Sequence, residues 1–187
     1  MGHRTLVAYD RAGYDLHYSH WGVDSDALTP ETPFGGPPDD GWAGECADEL
    51  LDPAGGYLTG DHETAVDPDP VATGLSFVEV CERVDPLIHE ALYVVDRDFA
   101  VRTYLVLALR GPGDDHRPTA ALVGYDGERD ATYLRGWLAG ARSVRDVHAL
   151  EDGAVVRALR WLDADRGTLV YLDRARTDDE SGADATQ

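Results

Sequence analysis

Two histidines, a serine and a tryptophan fall within seven positions of this chain, in the run Leu16-His17-Tyr18-Ser19-His20-Trp21-Gly22. Imidazole and hydroxyl groups carry proton transfer, nucleophilic attack and metal ligation, so the spacing decides which chemistry is open. A metal pair of His17 and His20 meets a geometric objection. Residues three apart on a strand point to opposite faces, so one ion cannot take both without a bulge. No second ligand pair stands at zinc spacing, and no metal is expected. Ser19 beside His17 suggests a nucleophile and its base, but the Gly-x-Ser-x-Gly turn that would expose such a serine is missing. A polar patch of His3, Thr5, His17 and Ser19 on one hairpin face, with an imidazole titrating near neutrality, is the better reading.

His89 and Glu90 form a second candidate, placed where a helix hands over to a strand and able to line a cleft with the hairpin. Asp24 with Asp26, and Asp67 with Asp69, offer carboxylates but match no calcium loop. No P-loop, dinucleotide-binding glycine signature or CxxC array occurs, so no cofactor is expected. The candidate binding residues are therefore His3, His17, Ser19, His20, Trp21, His89 and Glu90.

These side chains need elements to hold them. Thr5 to Asp10 and Tyr14 to Trp21 are β-prone runs about a turn-like Arg11-Ala12-Gly13. If Asp10 faces Tyr14, Leu6, Ala8, Leu16, Tyr18 and His20 share one face. His3, Thr5, Val7, Tyr9, His17, Ser19 and Trp21 share the other. Ser76 and Glu79 make an S-x-x-E capping box for a helix that Asp85-Pro86 should end. Residues 90–96, 99–109 and 119–125 read as an antiparallel meander, with a tight turn at Arg97-Asp98. Asp130 can cap a helix to about Arg145, in which Gly136 and Gly140 imply close backbone approach. Residues 154–162 fit a helix better than a strand, because a strand would put Arg157 and Arg160 on opposite sides. Residues 168–173 return as a final strand. The fold class is α+β: a single domain over 1–176, with an antiparallel sheet of about six strands and about three helices.

Residues 23–74 break the pattern. They hold seven of the ten prolines, thirteen acids and no Arg, and read as an acidic, Pro-rich excursion with one short helix near 45–51. The excursion is expected to pack lightly over the sheet. The tail 177–187 is acidic, polar and expected to be disordered.

Thirty-six acids face sixteen bases, a formal charge of −20, and every base is Arg. Such self-repulsion presses a chain apart in dilute buffer, while at about 1 M salt the screening length falls to roughly 3 Å. Asp over Glu and the lack of Lys add to a halophilic reading. Molar salt also weakens counterion-release binding, so nucleic acid is not the expected partner, although residues 129–176 are mildly basic. With two cysteines, Cys46 and Cys81, and no apolar run long enough to span a bilayer, a reduced, cytoplasmic setting away from the membrane is expected.

The opening Gly2-His3-Arg4, Leu6-Val7-Ala8-Tyr9 and Leu16 to Gly22, followed by His89-Glu90-Ala91, resembles a haloarchaeal family of unknown function. The resemblance supports the halophilic reading and implies no activity, substrate or site. The function expected is that of a module binding a small molecule or a protein. The alternative is a hydrolase or transferase that uses the hairpin histidines with His89 and Glu90.

Overall fold

The computed structural model describes residues 4–36, 64–108, 120–148, 154–155, 157–159 and 169–172. The expected features at His3, Cys46, 45–51 and 177–187 lie outside them.

Strands β1 (Thr5–Asp10) and β2 (Tyr14–Ser19) pair antiparallel with Asp10 opposite Tyr14 and Val7 opposite His17. The three-residue loop sets that register, and the alternation of side chains then assigns both faces as the sequence implied. Gly13 closes the loop at φ 147, where a Cβ would lie 2.8 Å from the backbone of Gly74. That contact brings in β3 (Ala72–Leu75), a strand the sequence did not announce, which pairs with β2. A short run containing glycine has little β-propensity. It is held instead by pairing and by Asp15, whose carboxylate accepts from the Gly74 N–H at 2.8 Å and from the Arg11 guanidinium at 2.8 Å.

The meander follows as β4 (Ala91–Val95), β5 (Val101–Ala108) and β6 (Ala120–Gly124), and β7 (Leu169–Leu172) pairs with β6. Among the described residues seven strands form one sheet, in the order β3-β2-β1-β4-β5-β6-β7. One seam departs from the all-antiparallel expectation: β1 lies parallel to β4, with Thr5 opposite Ala91. β3 runs the same way as β1 and β4, and the chain from Leu75 to Ala91 makes the crossover that brings β4 into that direction.

Helix α1 (Phe77–Arg83) carries the complete capping box of Ser76 and Glu79 and stops before Asp85-Pro86. It packs Val80, Cys81 and Val84 against Leu6, Leu16, Leu92 and Tyr104 on one face of the sheet. Burial pushes the Cys81 thiol up to about 11, so it behaves as an apolar core group. Helix α2 (Gly127–His148) begins a turn earlier than expected, and the Asp130 carboxylate reaches back to accept the Asp126 N–H at 3.0 Å. Gly136 and Gly140 are a correction: among the described residues a Cβ at either would meet nothing within 4 Å, so no described backbone packs there. Residues 154–155 and 157–159 are helical, with Val155 and Leu159 buried beside Leu134 and Leu138 of α2.

The opposite face of the sheet has two covers. α2 and residues 154–159 cover the β5–β6 end through Ala131, Leu134, Leu138 and Leu159. The described ends of the acidic excursion cover the β1–β4 end, where Val23, Leu28, Phe34 and Val66 join Val7, Tyr9 and Tyr93 in one buried cluster. Those ends pack firmly, not lightly. Among the described residues no helix is long and apolar enough to cross a membrane.

Candidate functional site

The hairpin's polar side chains fasten this second cover. His17, fully buried, donates from Nδ1 to the Asp67 carbonyl at 2.8 Å, and Ser19 Oγ donates to the Ala65 carbonyl at 2.7 Å. Tyr9 donates through its hydroxyl to the Pro33 carbonyl and sets its ring edge-on to both His17 and Phe34. Loss of water around His17 lowers its pKa to about 4, outweighing the Asp67 hydrogen bond and the nearby Asp15 charge, which raise it. The imidazole is therefore neutral at ordinary pH.

His20 and His89 lie elsewhere. Both rings contact Tyr18, with centroids 4.6 Å and 5.9 Å away. His89 Nδ1 accepts the Asp85 N–H at 2.8 Å, so the proton of a neutral ring sits on Nε2. His17 is thus separated from His20 and His89 by the sheet. Among the described residues, no three His, Cys, Asp or Glu side chains gather as metal ligands.

Trp21 and Glu90 come together where the two covers part. There the chain turns through a short 3-10 turn (Ser25–Ala27), capped by Asp24, whose carboxylate accepts the Asp26 N–H at 3.1 Å. Across from it starts α2. Between them a cleft opens over the sheet in two adjoining lobes. One, of about 520 Å³, is lined by Trp21, Asp24, Glu90, Tyr93, Glu128 and Arg135. The other, of about 1130 Å³, runs along Leu28, Phe99, Thr103 and Asp130. Ser25, Asp26, Tyr125, Asp126 and Gly127 line both.

The floor is a pair of phenols. Tyr93 and Tyr125 bring their hydroxyls to 3.1 Å, and Thr103 Oγ1 donates to the Tyr125 carbonyl at 2.6 Å, which fixes the strand end beneath them. Burial raises both phenol pKa values, and for Tyr125 the bond to Tyr93 adds to the rise. Both stay protonated, as hydrogen-bonding groups and not as bases. On the wall, Arg135 is held by Glu128 at 3.0 Å. Arg142 donates to the Ala108 carbonyl, so these two arginines serve internal contacts.

A model of a family of unknown function (DUF6735) matches residues 1–170. The chain belongs to that family. No curated protein and no solved structure matches it.

Of the residues singled out in the sequence, the cleft gathers Trp21 and Glu90. His17 and Ser19 are fasteners, and His20 and His89 flank Tyr18. Tyr93 and Tyr125 carry no sequence signal of this pairing, because each reads as a strand aromatic and nothing local links positions 32 apart. Asp24 and Asp26 read in the sequence only as a carboxylate pair.

Proposed function

We propose that this protein is a binding module whose small-molecule ligand sits in the cleft between the excursion cover and α2. The observation that carries the reading is the cleft itself: a concavity of ligand size, floored by two protonated phenols and ringed by convergent polar groups. Two further features favour binding over catalysis. His17 is immersed among Tyr9 and Phe34 with its Nδ1 on a main-chain carbonyl, and it lies across the sheet from His89. Catalysis by these histidines with Glu90 needs them within mutual reach.

The working medium belongs to the same reading: a cytoplasm rich in salt, where a chain of charge −20 is tolerated. Membrane and nucleic acid are not its partners in this account.

Thermal unfolding in molar salt tests the proposal. Choline, acetate and glucose serve as cationic, anionic and neutral probes. A ligand that binds only the folded state raises the melting temperature by mass action. At least one probe should do so for the native chain and lose its effect in Asp26→Trp, which sets an indole where the two lobes adjoin. An equal rise in both proteins, or none with any probe, would sink the reading.

A further inference from the structure

The smaller lobe has a charge and surface chemistry that narrow the choice of ligand. Among the described residues its lining holds five acids, Asp24, Asp26, Glu90, Asp126 and Glu128, and one base, Arg135, itself bonded to Glu128. An anion entering would meet that field unfavourably. Carboxylates alone would suit any cation, but three aromatic residues share the lining: Trp21 at the rim, with Tyr93 and Tyr125 below. Trp21 is 82% exposed, an indole face left open to water.

Resting on the cleft as the ligand site, we infer that this lobe takes a small organic cation, an ammonium group seated against Trp21 within the ring of carboxylates. The negative face of an indole attracts a cation, and the attraction is strongest for ions that shed their water easily. Alkylated ammonium ions do. A hard metal ion is the poorer fit, because it needs carboxylates converging as direct ligands, and among the described residues no such group of three exists. The phenols add a second requirement. In a pair 3.1 Å apart one hydroxyl donates to the other, which leaves one hydroxyl hydrogen for an acceptor on the ligand. An ammonium carrying a hydroxyl or carbonyl a few bonds away satisfies both ends. A contact of this kind, made at van der Waals distance, survives high salt better than long-range attraction does.

Calorimetric titration in molar sodium chloride tests the inference with choline and its uncharged isostere 3,3-dimethylbutan-1-ol, which differ only in carbon for charged nitrogen. Choline should bind more tightly, by roughly twofold to fivefold. Trp21→Ala should lose most of that preference, and Trp21→Phe should keep a good part of it. The side chain is exposed, so neither change should alter the circular dichroism. If the alcohol binds as tightly as choline and is lost in Asp26→Trp, the cation inference fails while the cleft remains a binding site. If Trp21→Ala leaves choline affinity unchanged, the inference fails equally. If choline does not bind, it also fails, and the wider reading falls with it only when acetate and glucose are also without effect.

Discussion

His17 and Asp67 are joined through the core, the imidazole Nδ1 donating to the main-chain carbonyl of Asp67 at 2.8 Å, fifty positions along the chain. With the Ser19 to Ala65 bond beside it, this contact anchors the returning end of the acidic excursion to the founding hairpin. The excursion cover forms one wall of the cleft, so the site depends on this bond without His17 entering it.

Replacement of His17 by leucine keeps the volume and removes the bond. The Asp67 carbonyl is then left without this donor, at a cost of about 1–3 kcal/mol. Denaturant unfolding in molar salt should show that loss, whereas His20→Ala, on an exposed side chain, should stay within about 0.5 kcal/mol of the native chain.

Acid should unfold the protein partly through the same residue. The His17 pKa falls from 6.5 to about 4 on folding because burial disfavours the charged ring. Above the upper value both folded and unfolded forms are neutral, and His17 adds no pH dependence. As pH falls from 6.5 toward 4 the unfolded chain takes up a proton that the folded one does not, and stability drops. The full loss is of order 3 kcal/mol, from about 1.4 kcal/mol per unit. His17→Leu should flatten the stability curve across that window relative to the native chain; an unchanged slope would count against the assignment.

Glycine substitutions should separate two kinds of site. Gly13→Ala drives a Cβ to 2.8 Å from the Gly74 backbone at a positive φ, and should loosen β3 and cost about 2 kcal/mol or more. Gly136→Ala and Gly140→Ala add a methyl to open space on a helix, and each should stabilise by about 0.5–1 kcal/mol. Thermal melts of the three variants check the contrast.

Low salt should unfold the native chain. With thirty-six acids against sixteen bases, dialysis from molar salt into a few millimolar buffer restores the mutual repulsion of the carboxylates. Loss of near-ultraviolet circular dichroism, reversed on return of salt, is the expected result. A compact, cooperative protein in dilute buffer would refute the halophilic reading.

Local signals carried much of the architecture. The hairpin register followed from a three-residue loop and alternating side chains, and α1 from the Ser76 and Glu79 box. What stayed hidden was non-local. The parallel seam of Thr5 with Ala91 is a choice of partner, which alternation within one strand does not encode. β3 owes its shape to Asp15 and β2, and its own residues favour neither strand nor helix. Val23, Leu28, Phe34 and Val66 are single apolar residues scattered among acids and prolines, with no period to mark them as core. The cleft joins the hairpin exit, the start of β4, the end of β6 and the start of α2. Trp21 and Glu90 were legible only as isolated residues, and Tyr93 with Tyr125 only as strand aromatics.

The most direct test of the cleft as ligand site is a map of backbone amide shifts during titration with choline, acetate and glucose in molar salt. Shifts concentrated at residues 21–26, 90–93 and 125–128, the segments that line the smaller lobe, are the predicted result. Binding whose shifts fall on other segments, or three probes that leave the amide spectrum unmoved, would contradict it.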